Sequence, residues 1–224
     1  MSYDNAELLR AYLDAHTAFS AEQYAEVARG IVRWIREVLA DAEGGYGASQ
    51  DADVGLDDDG DYFTWTFEEA AAVLTEEELA VIAPYHDIGT AGEMHHNPAR
   101  NVLFVAEPLE TIARRLELDL PIAEERLRQA RSKLLAAREG RPTPFVDRSQ
   151  YTSWNAMLAG ALLQASAVLD DPWAGEHALR TLRRLRAKQT TPDELAHTTG
   201  GISGMLEDQV FTAMAAIDAF EYKR

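Results

Sequence analysis

At 224 residues the chain is long enough for one domain with a sizeable core, and its hydrophobic content of 46% is that of a globular protein. A net charge of -17 repels a phosphate backbone and an anionic bilayer surface, so neither nucleic acid nor membrane is an expected partner. Cysteine is absent, which excludes disulfides, thiolate nucleophiles and cysteine zinc sites; with no bilayer-length apolar run and no charged-then-apolar leader, the cytoplasm is the expected compartment.

Asp4-Asn5 reads as an N-cap before a helix carrying Leu8, Leu9, Tyr12 and Leu13. Ser20-Ala21-Glu22-Gln23 reads as a capping box that opens the second helix of an αα-hairpin. Its expected stripe is Tyr24, Val27, Ile31, Ile35 and Val38, and Gly44-Gly45 ends it. Residues 45–66 break the helical pattern with glycines, acids and aromatics. They read as two extended segments around an Asp-Gly turn in the run Asp57-Asp58-Asp59-Gly60-Asp61. Thr66 and Thr75 each precede a short helix, and residues 86–101 are irregular. Asn101–Val105 is an expected short strand. Pro108 and Pro121 mark two helix N-termini, the second helix running to about Arg138 before Gly140-Arg141-Pro142. Further helices are expected at Thr152–Leu169, Pro172–Gln189 and Ser203–Tyr222, the first apolar on most faces and therefore buried. The expected class is all-α: antiparallel αα-hairpins with a small β excursion, the long loops gathering on a functional face.

Asp51 and Asp53, two residues apart in an extended segment, point to one side and can share a proton, a cation or a sugar hydroxyl. The acid run 57–61 fails the EF-hand spacing, since a count that places Gly60 sixth puts Gly55 first and Thr66 last; no metal or cofactor is expected. Glu207 and Asp208 open the last helix. Adjacent helical residues diverge by about 100°, so one is expected to face a ligand and the other the helix N-terminus. His95-His96-Asn97 sits in an irregular loop, with His96 suited to sugar binding or loop bracing. His86 and His197 are the other loop histidines that an acid–base reaction could use. Tyr62 and Trp65 can stack on a ring; Trp154 and Asn155 begin a buried helix, where the amide must be fully hydrogen-bonded. No phosphate loop, Gly-x-Ser-x-Gly or His-Glu-x-x-His is present.

Seven segments occur in an order that resembles one family. They are Tyr3-Asp4-Asn5-Ala6; Gly44-Gly45-Tyr46 with Ser49–Asp53; Tyr62–Thr66; Asn101-Val102-Leu103; Arg141-Pro142 with Pro144; Thr152–Asn155; and Leu206-Glu207-Asp208. They are similar to the thioredoxin-domain-containing proteins related to the spermatogenesis-associated protein of animals. The resemblance implies a partial α/α toroid like those of six-hairpin glycosidases and N-acylglucosamine 2-epimerases. It further implies a single domain over 1–224 that lacks the family's thioredoxin-like domain and first hairpins, and a carbohydrate-active or carbohydrate-binding role. The catalytic candidates are Asp51, Asp53, Glu207 and Asp208; those for substrate binding are Trp65, Tyr62, Asn155, Trp154 and His96. Two positions depart from the family: Asp147-Arg148-Ser149 replaces Asp-Asp-Lys, and Gln209 replaces an aromatic. A non-catalytic binding or assembly module is the alternative. An incomplete ring would expose apolar faces on the first helix and on the last (Phe211, Met214, Ile217, Phe220), so a homo-oligomer is expected.

Overall fold

The computed structural model describes residues 1–56, 58, 60–188 and 194–224, with Lys188 by its backbone alone. Asp57 and Asp59 of the acidic run, and the expected helix end Gln189, lie outside the described residues. In chain order the helices are α1 (Ser2–Phe19), α2 (Glu22–Trp34), α3 (Phe67–Val73), α4 (Glu76–His86), α5 (Leu109–Arg115), α6 (Leu120–Glu139), α7 (Thr152–Leu169), α8 (Pro172–Lys188) and α9 (Leu206–Tyr222). The strands are β1 (Ser49–Gln50) and β2 (Val146–Asp147). The class is all-α with one minimal sheet. Among the described residues no helix is long and apolar enough to cross a membrane.

The chain divides into two compact units, residues 1–50 with 146–224, and residues 51–145. In the first unit α7 is the centre, with α1, α8 and α9 packed on it. Its composition dictates this: Ala, Leu and Gly fill ten of its 18 positions, no residue of it is charged, and twelve of its residues are buried. Gly160 lets Arg10 of α1 and Asp218 of α9 meet at 2.6 Å, since a Cβ there would strike both side chains. In the second unit α4 and α6 pack around Val81, Ile82, Leu127, Ala130 and Leu134.

Several local expectations change. Helix α1 starts at Ser2, so Asp4 and Asn5 lie in its first turn, and Asn5 Nδ2 donates to the Met1 carbonyl at 2.9 Å. Ser20 closes α1 in the left-handed conformation and caps nothing; the α1–α2 turn is too short for the same residue to serve both helices. The buried stripe of α2 and its π-helical continuation (Ile35–Leu39) is Ala25, Ala28, Val32, Ile35 and Leu39, while Val27 is exposed. Alanines on that stripe let α1 and α2 approach closely. The expected hairpin over 45–66 does not form. β1 pairs with β2 in antiparallel register, Ser49 opposite Asp147. Asn101 alone of its expected strand pairs, bridging to Trp65. Thr66 and Thr75 do begin helices, each through a complete capping box.

Leu9 and Leu13 are fully buried in the core of the first unit and Tyr12 packs against it, so of the apolar face expected on α1 Leu8 is the part that is exposed. On α9 the expected Met214, Ile217 and Phe220 are exposed, with Leu206 and Val210 beside them, while Phe211 is half-buried against Ala156, Leu185 and Ala215. Gly44, Gly45 and Tyr46 also belong to the core. Tyr46 is fully buried, its hydroxyl 3.1 Å from His177 Nδ1, and His177 Nε2 lies 2.9 Å from the Asp41 carbonyl. Burial pushes the Tyr46 phenol pKa up and the His177 imidazole pKa down, so both stay neutral at physiological pH.

Candidate functional site

A loop in the first unit joins α8 to α9 and holds His197. Its described part is pinned at several points: Ala196 bridges Ser203, the His197 N–H donates to the Ile202 carbonyl at 2.7 Å, and the Thr152 N–H donates to the His197 carbonyl at 2.9 Å. The Thr152 hydroxyl donates to the Ala196 carbonyl at 2.5 Å. His197 is thereby held against the start of α7 and the first turn of α9.

Asp208 is fully buried, and His197 Nδ1 lies 3.0 Å from its Oδ2 and 3.2 Å from its Oδ1. Oδ1 also accepts the Ser153 N–H at 2.9 Å. A carboxylate only accepts, so the proton of this contact sits on Nδ1, which leaves Nε2 as the nitrogen that can face a ligand. The His197 side chain is 20% exposed, enough for a ligand to reach it. Glu207 completes a cluster in which one ligand atom from each of His197, Glu207 and Asp208 lies within 4.8 Å of the others. The expected divergence of Glu207 and Asp208 therefore does not keep them apart: both lie in the first turn of α9, over which the loop folds His197.

A run of aromatic rings leads away from this cluster. Tyr151 lies 5.1 Å from the His197 ring, Trp154 lies 4.7 Å from Tyr151, and Tyr3 lies 4.8 Å from Trp154. All three are half-buried. On the other side, Met205, Leu206, Glu207, Val210 and Phe211 line an open, mainly apolar cavity of about 460 Å³.

The remaining candidates fall differently. Asn155 is buried with its amide fully used: Oδ1 accepts the Tyr46 N–H at 2.8 Å, and Nδ2 donates to the Tyr46 and Tyr151 carbonyls at 3.1 and 3.0 Å. Such an amide, buried and with both of its hydrogens spent on backbone carbonyls, holds the fold. In the second unit Asp51 and Asp53 are both exposed, and Asp53 Oδ1 accepts the Gly60 N–H at 3.0 Å, a turn-bracing contact. Asp58 braces the same turn through the Val54 and Asp61 N–H groups. Trp65 is 3% exposed, and the Arg141 guanidinium lies 3.9 Å from its ring centroid, so that face is covered. Tyr62 is buried beside Phe63 and Arg138. His96 is exposed, with the His95 ring 5.3 Å away. His86 is buried, its Nδ1 2.7 Å from the Phe104 carbonyl, and burial pushes its pKa down. The departing residue Arg148 donates to the Val38 carbonyl at 2.8 Å, a contact to backbone.

Tyr3, Tyr151 and Ser153 were not singled out as site residues, and His197 was one of several loop histidines. Tyr3, Ser153, Trp154 and Asp208 do fall in the ordered motifs, which was the available signal.

No family model matches the chain. It is similar to spermatogenesis-associated protein 20 of Homo sapiens, 27% identical over 99% of this chain and 33% of that protein. The Mus musculus protein of that name is 26% identical over 99% of this chain and 32% of its own length. The resemblance read from the motifs thus extends along the whole chain, which spans about a third of the length of these curated relatives. Among solved structures, cellobiose 2-epimerase from Spirochaeta thermophila aligns over 99% of this chain and 70% of that one, with TM-score 0.30 and 16% identity.

Proposed function

We propose that the first unit is a carbohydrate-active centre in which His197 is the general base and Glu207 the partner acid. Asp208 is the positioning residue that fixes the histidine tautomer. The contact that supports this most is the one between His197 Nδ1 and the buried Asp208, 3.0 Å. A carboxylate behind an imidazole holds the ring and stabilises the imidazolium formed when Nε2 takes a proton. The half-buried rings of Tyr151, Trp154 and Tyr3 support a sugar-class ligand, because the apolar faces of a pyranose pack on aromatic rings. The family resemblance supports the same class. Asp51, Asp53 and His96 remain proposed contacts of the second unit.

A panel of reducing mono- and disaccharides tests this by thermal shift, and by deuterium uptake from D2O at the carbon beside the sugar carbonyl. The expected result is a raised melting temperature for at least one sugar, with exchange reduced about 100-fold or more in His197→Gln. No stabilising sugar and no exchange would overturn the reading.

The second reading, a binding or assembly module, is favoured by the exposed face of α9: Leu206 is 77% exposed and Ile217 59%. On it we propose a homo-oligomer that covers this face. Light scattering at micromolar concentration is expected to give at least twice the chain mass of 24.8 kDa, and a clean monomer mass would rule this out.

A further inference from the structure

We propose that His197, Glu207 and Asp208 form a binding site for one divalent cation of the zinc, cobalt or manganese class. The donor set is one imidazole nitrogen and two carboxylate oxygens, without sulfur, which suits borderline to hard divalent ions. Ligand atoms held at about 2.0–2.2 Å from one ion lie about 3–4 Å from each other. Here the three lie within 4.8 Å, and the His197–Asp208 pair is already 3.0 Å apart. Glu207, which is exposed, needs only a small rotation to close the set.

Three further features point the same way. Asp208 is oriented by the Ser153 N–H, and the His197 main chain is pinned through its N–H to Ile202 and through its carbonyl to Thr152, which together place both ligands. The Ser153 hydroxyl is 1% exposed and has no hydrogen-bond partner among the described residues, although its own N–H grips Asp208. A buried hydroxyl of that kind calls for a missing partner, and a water carried by an ion supplies one. Glu207 is the ligand that also lines the open cavity beside α9, and His197 is partly exposed, so the cluster can be reached from solvent.

Binding at Nδ1 displaces the proton now held between His197 and Asp208; the neutral ring keeps its one proton by carrying it on Nε2, which then offers no lone pair. Ion and proton exclude one another, so a loaded site has its base blocked. The inference therefore stands apart from the acid–base reading, and its test does not use activity. The purified full chain, stripped with a chelator, is titrated with Zn2+ by calorimetry and with Co2+ by visible absorption. One saturable ion per chain is expected at micromolar protein, with ligand-field bands for Co2+. His197→Gln and Glu207→Gln are each expected to weaken binding about tenfold or more. Both side chains reach solvent, so these variants are expected to fold like the parent, which circular dichroism checks. No saturable binding, or unchanged affinity in both variants, overturns the site.

Discussion

Asn155→Ala is expected to lower the unfolding free energy by about 3–5 kcal/mol, because it strands two buried backbone groups at about 1–3 kcal/mol each and loses a third hydrogen bond. The side chain reads Tyr46 as a neighbouring strand would, accepting from its N–H and donating to its carbonyl, and it also donates to the Tyr151 carbonyl. The Tyr46 peptide is buried beside the first core of the chain, so water cannot replace the lost partner. The Tyr151 carbonyl loses one of its two donors and keeps the backbone N–H of residue 155. Urea denaturation checks the prediction, and for a chain of this size the melting temperature should fall by roughly 10 °C. A loss below about 1 kcal/mol would show that the amide is not what fixes Tyr46.

Arg141→Lys is the second large effect, expected at about 2–4 kcal/mol despite the kept charge. The guanidinium donates from Nη1 to the Asp61 and Thr64 carbonyls at 2.7 Å and to the Tyr62 carbonyl at 3.2 Å. Nη2 donates to Glu69 at 3.1 Å, and the plane lies over Trp65. Burial pulls the Arg141 pKa down, with Glu69 opposing, yet an arginine stays charged in this setting. A lysine ammonium is a point charge with three donors; it cannot stack on the indole and serve the carbonyls and Glu69 together. Hydrogen exchange is the telling readout. Protection should fall at Asp61–Thr66 and stay near parental in α7. Equal protection at Asp61–Thr66 in parent and variant would refute the assignment.

These two residues also show how the motifs divide. Arg141 and Asn155 belong to the ordered segments that carry the family resemblance, and both turn out to hold backbone in place. Trp65, the expected stacking platform, is the ring that Arg141 covers. Glu207 and Asp208 stand out in the sequence as site candidates at the start of α9, and the structure puts both beside His197. Their partner does not stand out, because nothing in the spacing of His197 separates it from His86, which is spent on the Phe104 carbonyl. The aromatic run was hidden for a related reason: Tyr3 comes from α1 and Tyr151 from the approach to α7, segments far apart in the chain.

What the amino-acid sequence determined by itself is the set of helices and most of their ends. Helical hydrogen bonds reach four residues and capping boxes three, so the apolar run of Thr152–Leu169 and the starts at Thr66 and Thr75 are written locally. Only the tertiary structure decided the pairing of Ser49-Gln50 with Val146-Asp147, the burial of Leu9 and Leu13 against α7, and the closure of His197 onto Asp208. Each joins segments across irregular loops, whose paths follow no period and are set by which buried polar groups and apolar faces can satisfy one another once the helices have packed.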